Sequence, residues 1–92
     1  MGRGEDMFTV LGAQLSQTEE GEYVGQVQFS VEGHLHAYEI TLHRDKQGEW
    51  AYSLHFAKDS GSEEQILQVE DMLEADDSLF DLLVDAALAT LA

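Results

Sequence analysis

Residues 7–57 alternate between apolar and polar side chains, the pattern of strands in a sheet that buries one face only. The period near two is interrupted at three places by turn residues, which is typical of consecutive antiparallel hairpins. The alternation therefore predicts a meander of four strands, at about 7–18, 22–31, 34–44 and 49–57.

The turns predict which residues pair. The segment VEGH predicts a two-residue loop that pairs Val31 with His34. The segments TEEGE (18–22) and DKQGE (45–49) each predict a three-residue loop that ends in a glycine able to take positive φ. With these registers the large apolar residues of all strands share one face, and a one-residue slip in any hairpin would turn a strand over.

The pairs set by the VEGH loop include Phe29 with His36, Val27 with Tyr38 and Gly25 with Ile40. Those set by the other two loops include Leu11 with Phe29, Leu15 with Gly25, Leu42 with Tyr52, and Tyr38 with Phe56. The predicted core face is formed by Leu11, Val27, Phe29, Tyr38, Ile40, Tyr52, Leu54 and Phe56.

The apolar period changes to a helical one after residue 60. In the segment SGSEEQ, Ser62 is the predicted N-cap and Gln65 its capping-box partner, which predicts a helix at about 63–75. The segment ADDS ends this helix, and Ser78 starts a second one at about 78–91. The chain is therefore expected to form a single domain over 7–92, preceded by a flexible tail at 1–6.

The predicted architecture is an α+β two-layer sandwich, a four-stranded antiparallel meander with two C-terminal helices on one face (ββββαα). The apolar arc of the second helix spans roughly 200°, while a helix on one sheet buries roughly 100°. Either the first helix or a second copy of the protein covers the excess, and small domains often gain core by dimerising. We expect a homodimer, with contacts at Leu79, Leu82, Val84 and Leu88.

The charge is strongly acidic, with 19 Asp and Glu against four Lys and Arg and a formal net charge of −15. This argues against nucleic acid or an anionic membrane as a ligand. No Lys or Arg follows Lys58, whereas ten acids do. This region is interpreted as a solvated, solubilising face, as adaptation to high salt, or as a docking surface for a basic protein. The predicted partner surface comprises Glu63, Glu70, Asp71, Glu74 and Asp77.

The other sheet face is polar and almost uncharged, and on it Glu39 lies across from His55, with Gln26 beside them. A carboxylate that orients an imidazole has the ingredients of acid–base chemistry, but a flat face offers no pocket. We expect a pH-sensitive pair and no enzyme. His34 and His36 point to the core face and cannot converge with the histidines of the other face, so neither a metal nor a cofactor is expected.

With no cysteine and no apolar run of membrane-spanning length, the chain is expected in the cytoplasm, away from membranes. In size and composition it resembles small acidic secretion chaperones and acidic inhibitor proteins of bacteria and phages. The sequence thus favours a non-catalytic protein that acts by binding another protein. The alternative is a small-ligand or metal-binding module that uses the strand histidines and Glu39.

Overall fold

One antiparallel sheet and two helices form the computed structural model, which describes residues 7–58 and 61–91. The sheet order is β1-β2-β3-β4, which with the helices confirms the predicted ββββαα two-layer fold. The predicted tail at 1–6 lies outside the described residues. The elements are β1 (Phe8–Gln17), β2 (Tyr23–Val31), β3 (Tyr38–Arg44), β4 (Trp50–Phe56), α1 (Glu63–Ala75), α2 (Asp77–Leu88) and a final 3-10 helix (Ala89–Leu91).

The core lies between the sheet and the helices, with α2 over β1 and β2 and α1 against β4. Full burial of an aliphatic or Phe side chain contributes about 1.5–3 kcal/mol, so this one cluster is the main source of stability. Neither described helix has the length and apolar character needed to cross a membrane. The buried members of the cluster are Phe8, Leu15, Val27, Phe29, Val31, Tyr38, Ile40, Leu42, Val69, Leu73, Leu79, Leu83, Val84 and Ala87.

The two three-residue turns form as predicted. Between β3 and β4, Asp45 N donates to Glu49 O at 3.0 Å, and Gly48 takes a φ of 87°. The turn between β1 and β2 has the same form, with Gly21 at a φ of 88°. The register of the last hairpin is confirmed along its length: Tyr38 with Phe56, Ile40 with Leu54 and Leu42 with Tyr52.

The predicted register of β2 against β3 is wrong by two residues. Val27 pairs with Ile40 and Phe29 with Tyr38, so each residue keeps its face but has a new partner. A two-residue loop of type I′ needs positive φ at both positions. Here Gly33 has a φ of 86°, but Glu32 does not take positive φ. The predicted two-residue hairpin therefore does not form, and residues 32–37 lie outside the pairing of β2 with β3.

A β-bulge divides β1. Leu15 pairs with Gly25 as predicted, but the register shifts between Val10 and Gly12, which leaves Leu11 out of the pairing. The prediction of Leu11 in the core is wrong, since this side chain is 60% exposed. The bulge turns Phe8 inward instead, where its ring stacks on Phe29 at a centroid distance of 5.0 Å. It thus exchanges a leucine for a larger aromatic side chain in the core.

A side chain caps the N-terminus of each helix. Ser62 Oγ accepts a hydrogen bond from Gln65 N at 3.3 Å, which confirms Ser62 as the N-cap of α1. The predicted capping box is incomplete, because Gln65 Oε1 accepts from Leu35 N at 3.4 Å. The second helix begins one residue earlier than predicted, because its N-cap is Asp76 rather than Ser78. Asp76 Oδ1 accepts from the backbone N and the hydroxyl of Ser78, at 3.0 and 2.6 Å. A cap of this kind typically contributes about 0.5–2 kcal/mol.

Candidate functional site

The sheet face turned away from the helices, here called the outer face, holds the predicted Glu39 and His55 pair. Glu39 Oε1 lies 2.9 Å from His55 Nε2, and Gln28 Nε2 donates to Glu39 Oε2 at 2.5 Å. The sequence placed Gln26 beside this pair, and the two-residue shift of β2 brings Gln28 there instead. The carboxylate therefore bridges three adjacent strands.

The hydrogen bonds also perturb the acid. The bond from Gln28, followed by the one from His55, lowers the pKa of Glu39 from its ordinary value, because both stabilise the ionised carboxylate. The Glu39 side chain is 21% exposed and that of His55 44%. This open polar cluster can hold an imidazole in a fixed orientation and respond to acid.

A depression of about 480 Å³ lies at one end of the outer face. The bulge supplies Leu11, and the irregular segment 32–37 supplies Leu35, which is 85% exposed. This depression was not predicted from the sequence. The sequence signal for it is Gly12, because an isolated glycine within a strand often marks a bulge. The lining residues are Leu11, Gln28, Leu35, His36, Ala37, Ala57 and Lys58.

The four histidines lie in four different surroundings. His34 Nδ1 is 2.7 Å from the Tyr38 hydroxyl, and His43 Nε2 is 3.6 Å from Glu22 Oε1. The ring of His36 packs edge-on against Phe56, while His55 bonds to Glu39 as described. Among residues 7–58 and 61–91, no group of three His, Asp or Glu side chains is placed to hold a metal ion.

The predicted partner surface lies on the two helices and is here called the acidic helical surface: Glu63, Glu70, Asp71, Glu74 and Asp77. All but the half-buried Glu70 are exposed. The ion pairs among the described residues join Glu22 to His43, Glu20 to Lys46 and Glu39 to His55. None of the described ion pairs includes an acid of α1 or α2, so this surface is not neutralised there.

An aromatic pair adjoins the acidic helical surface, although the sequence had assigned one of its members to the core. Tyr52 is 37% exposed, and its ring centroid lies 5.5 Å from that of Phe80. Burial, then the charges of Glu74 and Glu70, raise the pKa of the Tyr52 hydroxyl. An exposed aromatic surface is therefore flanked by carboxylates.

The four residues predicted as dimer contacts fall into two groups. Leu79 and Val84 are 1% and 6% exposed within a single chain, because the sheet and the other helical segments cover them. Leu82 is partly buried against the core, and Leu88 is 38% exposed. Only Leu82 and Leu88 therefore remain accessible to a second copy.

Comparison of the chain with protein-family models, with curated proteins and with solved structures found no match.

Proposed function

We propose that this is a non-catalytic cytoplasmic protein that binds a basic partner protein through its acidic helical surface, as a homodimer joined at Leu82 and Leu88. The observation behind the proposal is the unneutralised negative charge of α1 and α2. Carboxylates of this kind attract a cationic surface over about 8–10 Å at physiological salt. The attraction speeds encounter and selects for basic partners.

The acids of the acidic helical surface differ in whether they stabilise their own helix. Glu63 and Asp77 lie in the first turns of their helices, where the helix dipole favours an acid. Glu70 and Glu74 are four residues apart, a like-charge spacing that destabilises a helix by about 0.2–0.5 kcal/mol. Neither helix has a basic residue in its last turn. A merely solubilising surface could alternate charges at lower cost, so this arrangement favours a binding role.

The aromatic pair gives the surface an anchor. Exposed ion pairs contribute only about 0–1 kcal/mol each, and tyrosine is among the residues that most often dominate binding energy. Tyr52 and Phe80 place such a group beside Glu70 and Glu74. A basic segment that also carries an apolar or aromatic side chain fits this combination.

The test compares two variants of equal charge. The helical variant has Glu70→Gln, Asp71→Asn and Glu74→Gln; the turn variant has Glu19, Glu32 and Glu49 changed to Gln. Each raises the formal net charge from −15 to −12. Wild type and both variants are used as bait at about 0.1 M and about 1 M salt, where the Debye length falls from about 10 to 3 Å.

Wild type and the turn variant should capture the same basic protein at low salt, and the helical variant should not. Capture should fade at high salt. Because the helical variant relieves the repulsion within α1, it should unfold at the same or a higher urea concentration than wild type, which separates lost binding from lost folding. Equal capture by both variants would show that total charge, and not this surface, governs binding.

A further inference from the structure

Two of the most exposed apolar side chains of the described residues meet in the outer-face depression. Leu35 is 85% exposed and Leu11 is 60% exposed, and both line the same concave surface. Exposed leucines scattered singly need no explanation, whereas two that line one concave surface offer an apolar contact to a ligand. The depression has the volume of a small-molecule pocket, about 300–1,000 Å³.

The depression depends on two departures from a regular meander. Without the bulge in β1, Leu11 would point into the core. With a two-residue loop after Val31, Leu35 would lie in the ladder of β3. Bulges are frequent beside functional sites because they re-aim a side chain. Both irregularities here re-aim a leucine toward one place.

The lining also has an unusual charge. Although 19 of the 92 residues are acidic, the lining contributed by residues 7–58 and 61–91 contains no acid, and it includes Lys58, one of the four Lys and Arg residues. The neighbouring carboxylate of Glu39 is bonded to Gln28 and His55. The lining thus offers an apolar surface and one ammonium group.

We propose that the depression binds a small amphipathic carboxylate, with its apolar body against Leu11 and Leu35 and its carboxylate at Lys58. Charge complementarity at Lys58 selects the anion against the repulsion of a protein with a net charge of −15. The depression shares no lining residue with the acidic helical surface, and this proposal does not rest on the function proposed above.

Linear acids are direct probes of this site. Butyrate, hexanoate and octanoate are titrated into labelled protein and followed by amide NMR shifts, with 1-hexanol and hexylamine as neutral and cationic controls. Hexanoate should shift the amides of Leu11, Ala37 and Ala57 in a saturable way. Each buried methylene should tighten binding by up to about fourfold. The absence of saturable shifts at these amides, or tighter binding of hexylamine there, would overturn the proposal.

Matched variants test each half of the site. Leu11→Ala should weaken hexanoate several-fold, whereas Leu67→Ala, at a helix position with 55% exposure, should not. Lys58→Gln should weaken hexanoate but leave hexanol unchanged, and Lys46→Gln, with a 56% exposed side chain, should change neither. If Lys58→Gln leaves hexanoate binding intact, the carboxylate assignment is wrong; if Leu11→Ala does, the site is not this depression.

Discussion

The β-bulge decides which leucine of β1 supports the core, and alanine substitution can measure that choice. Leu15 is 7% exposed and packs in the core, whereas Leu11 is 60% exposed on the outer face. A regular strand would bury both residues, because they are four positions apart. We expect Leu15→Ala to be strongly destabilising and Leu11→Ala to be nearly neutral.

The magnitudes follow from burial. Full burial of a leucine is worth about 1.5–3 kcal/mol, and Leu11 retains about 40% of that contact, or about 0.6–1.2 kcal/mol, part of which alanine keeps. Leu11→Ala should therefore cost less than about 1 kcal/mol. Truncating a buried leucine leaves a cavity and costs about 2–5 kcal/mol. For Leu15, on an edge strand that can relax, we expect about 2–3 kcal/mol.

The assay is equilibrium urea unfolding, followed by far-UV circular dichroism and by the fluorescence of Trp50, the single tryptophan. In a domain of this size, about 1 kcal/mol also shifts Tm by about 4–8 °C, so thermal melts provide a second measurement. If Leu11→Ala costs as much as Leu15→Ala, then Leu11 is in the core. The bulge, and with it the outer-face depression, would then be refuted.

Three further predictions concern the pair on the outer face, the strand packing and the assembly. Because the pKa of Glu39 is lowered in the folded state, its ionised carboxylate stabilises the fold at pH values above the ordinary pKa of 4.5, and this stabilisation is lost as pH falls through the folded pKa. Wild type should therefore lose its stability advantage over Glu39→Gln below pH 4.5. A difference in urea midpoint that stays constant with pH would contradict this. A methyl group at residue 25 would clash with the backbone of Gln14, so Gly25→Ala should lower the free energy of unfolding by about 1–3 kcal/mol in the same assay. An unchanged free energy of unfolding would show that β1 and β2 do not approach each other this closely. Leu88→Glu should halve the mass seen by light scattering while Leu67→Glu leaves it unchanged, and a monomeric wild type at micromolar concentration would rule out the dimer.

Features set by local chemistry could be predicted from the sequence. The turn at 45–49 needs one positive φ and has Gly48 to supply it, so its register followed directly. The start of α1 depends on Ser62, three residues before its hydrogen-bond donor. The acidic helical surface was equally local, because no Lys or Arg follows Lys58. For the turn and the helix start, the deciding residues lie within a few positions of one another.

Features set by competition between distant residues were missed. Whether Leu11 or Phe8 enters the core depends on how each fits beside Phe29, and a bulge can exchange them at the position of Gly12. The turn after Val31 had the same ambiguity, because a shift of two residues preserves every face. Alternation therefore could not distinguish the two registers, and Gln26 was paired with Glu39 in place of Gln28.

The second helix illustrates a related limit. Its wide apolar arc indicated more burial than one sheet provides, but the pattern could not say which neighbour covers each side. Val84 is already buried within one chain, so it needs no second copy of the protein to cover it. Leu88 remains exposed, and the prediction of a dimer now rests on a smaller surface.

The two proposed binding surfaces have no residue in common, so different substitutions test them. The acidic helical surface belongs to α1 and α2, whereas the depression is lined by strand and turn residues of the outer face. Neutralising the helical acids should therefore leave the depression intact, and truncating Leu11 should leave the helices intact. Loss of partner capture with hexanoate binding retained, or the reverse, would therefore refute one proposal and leave the other standing.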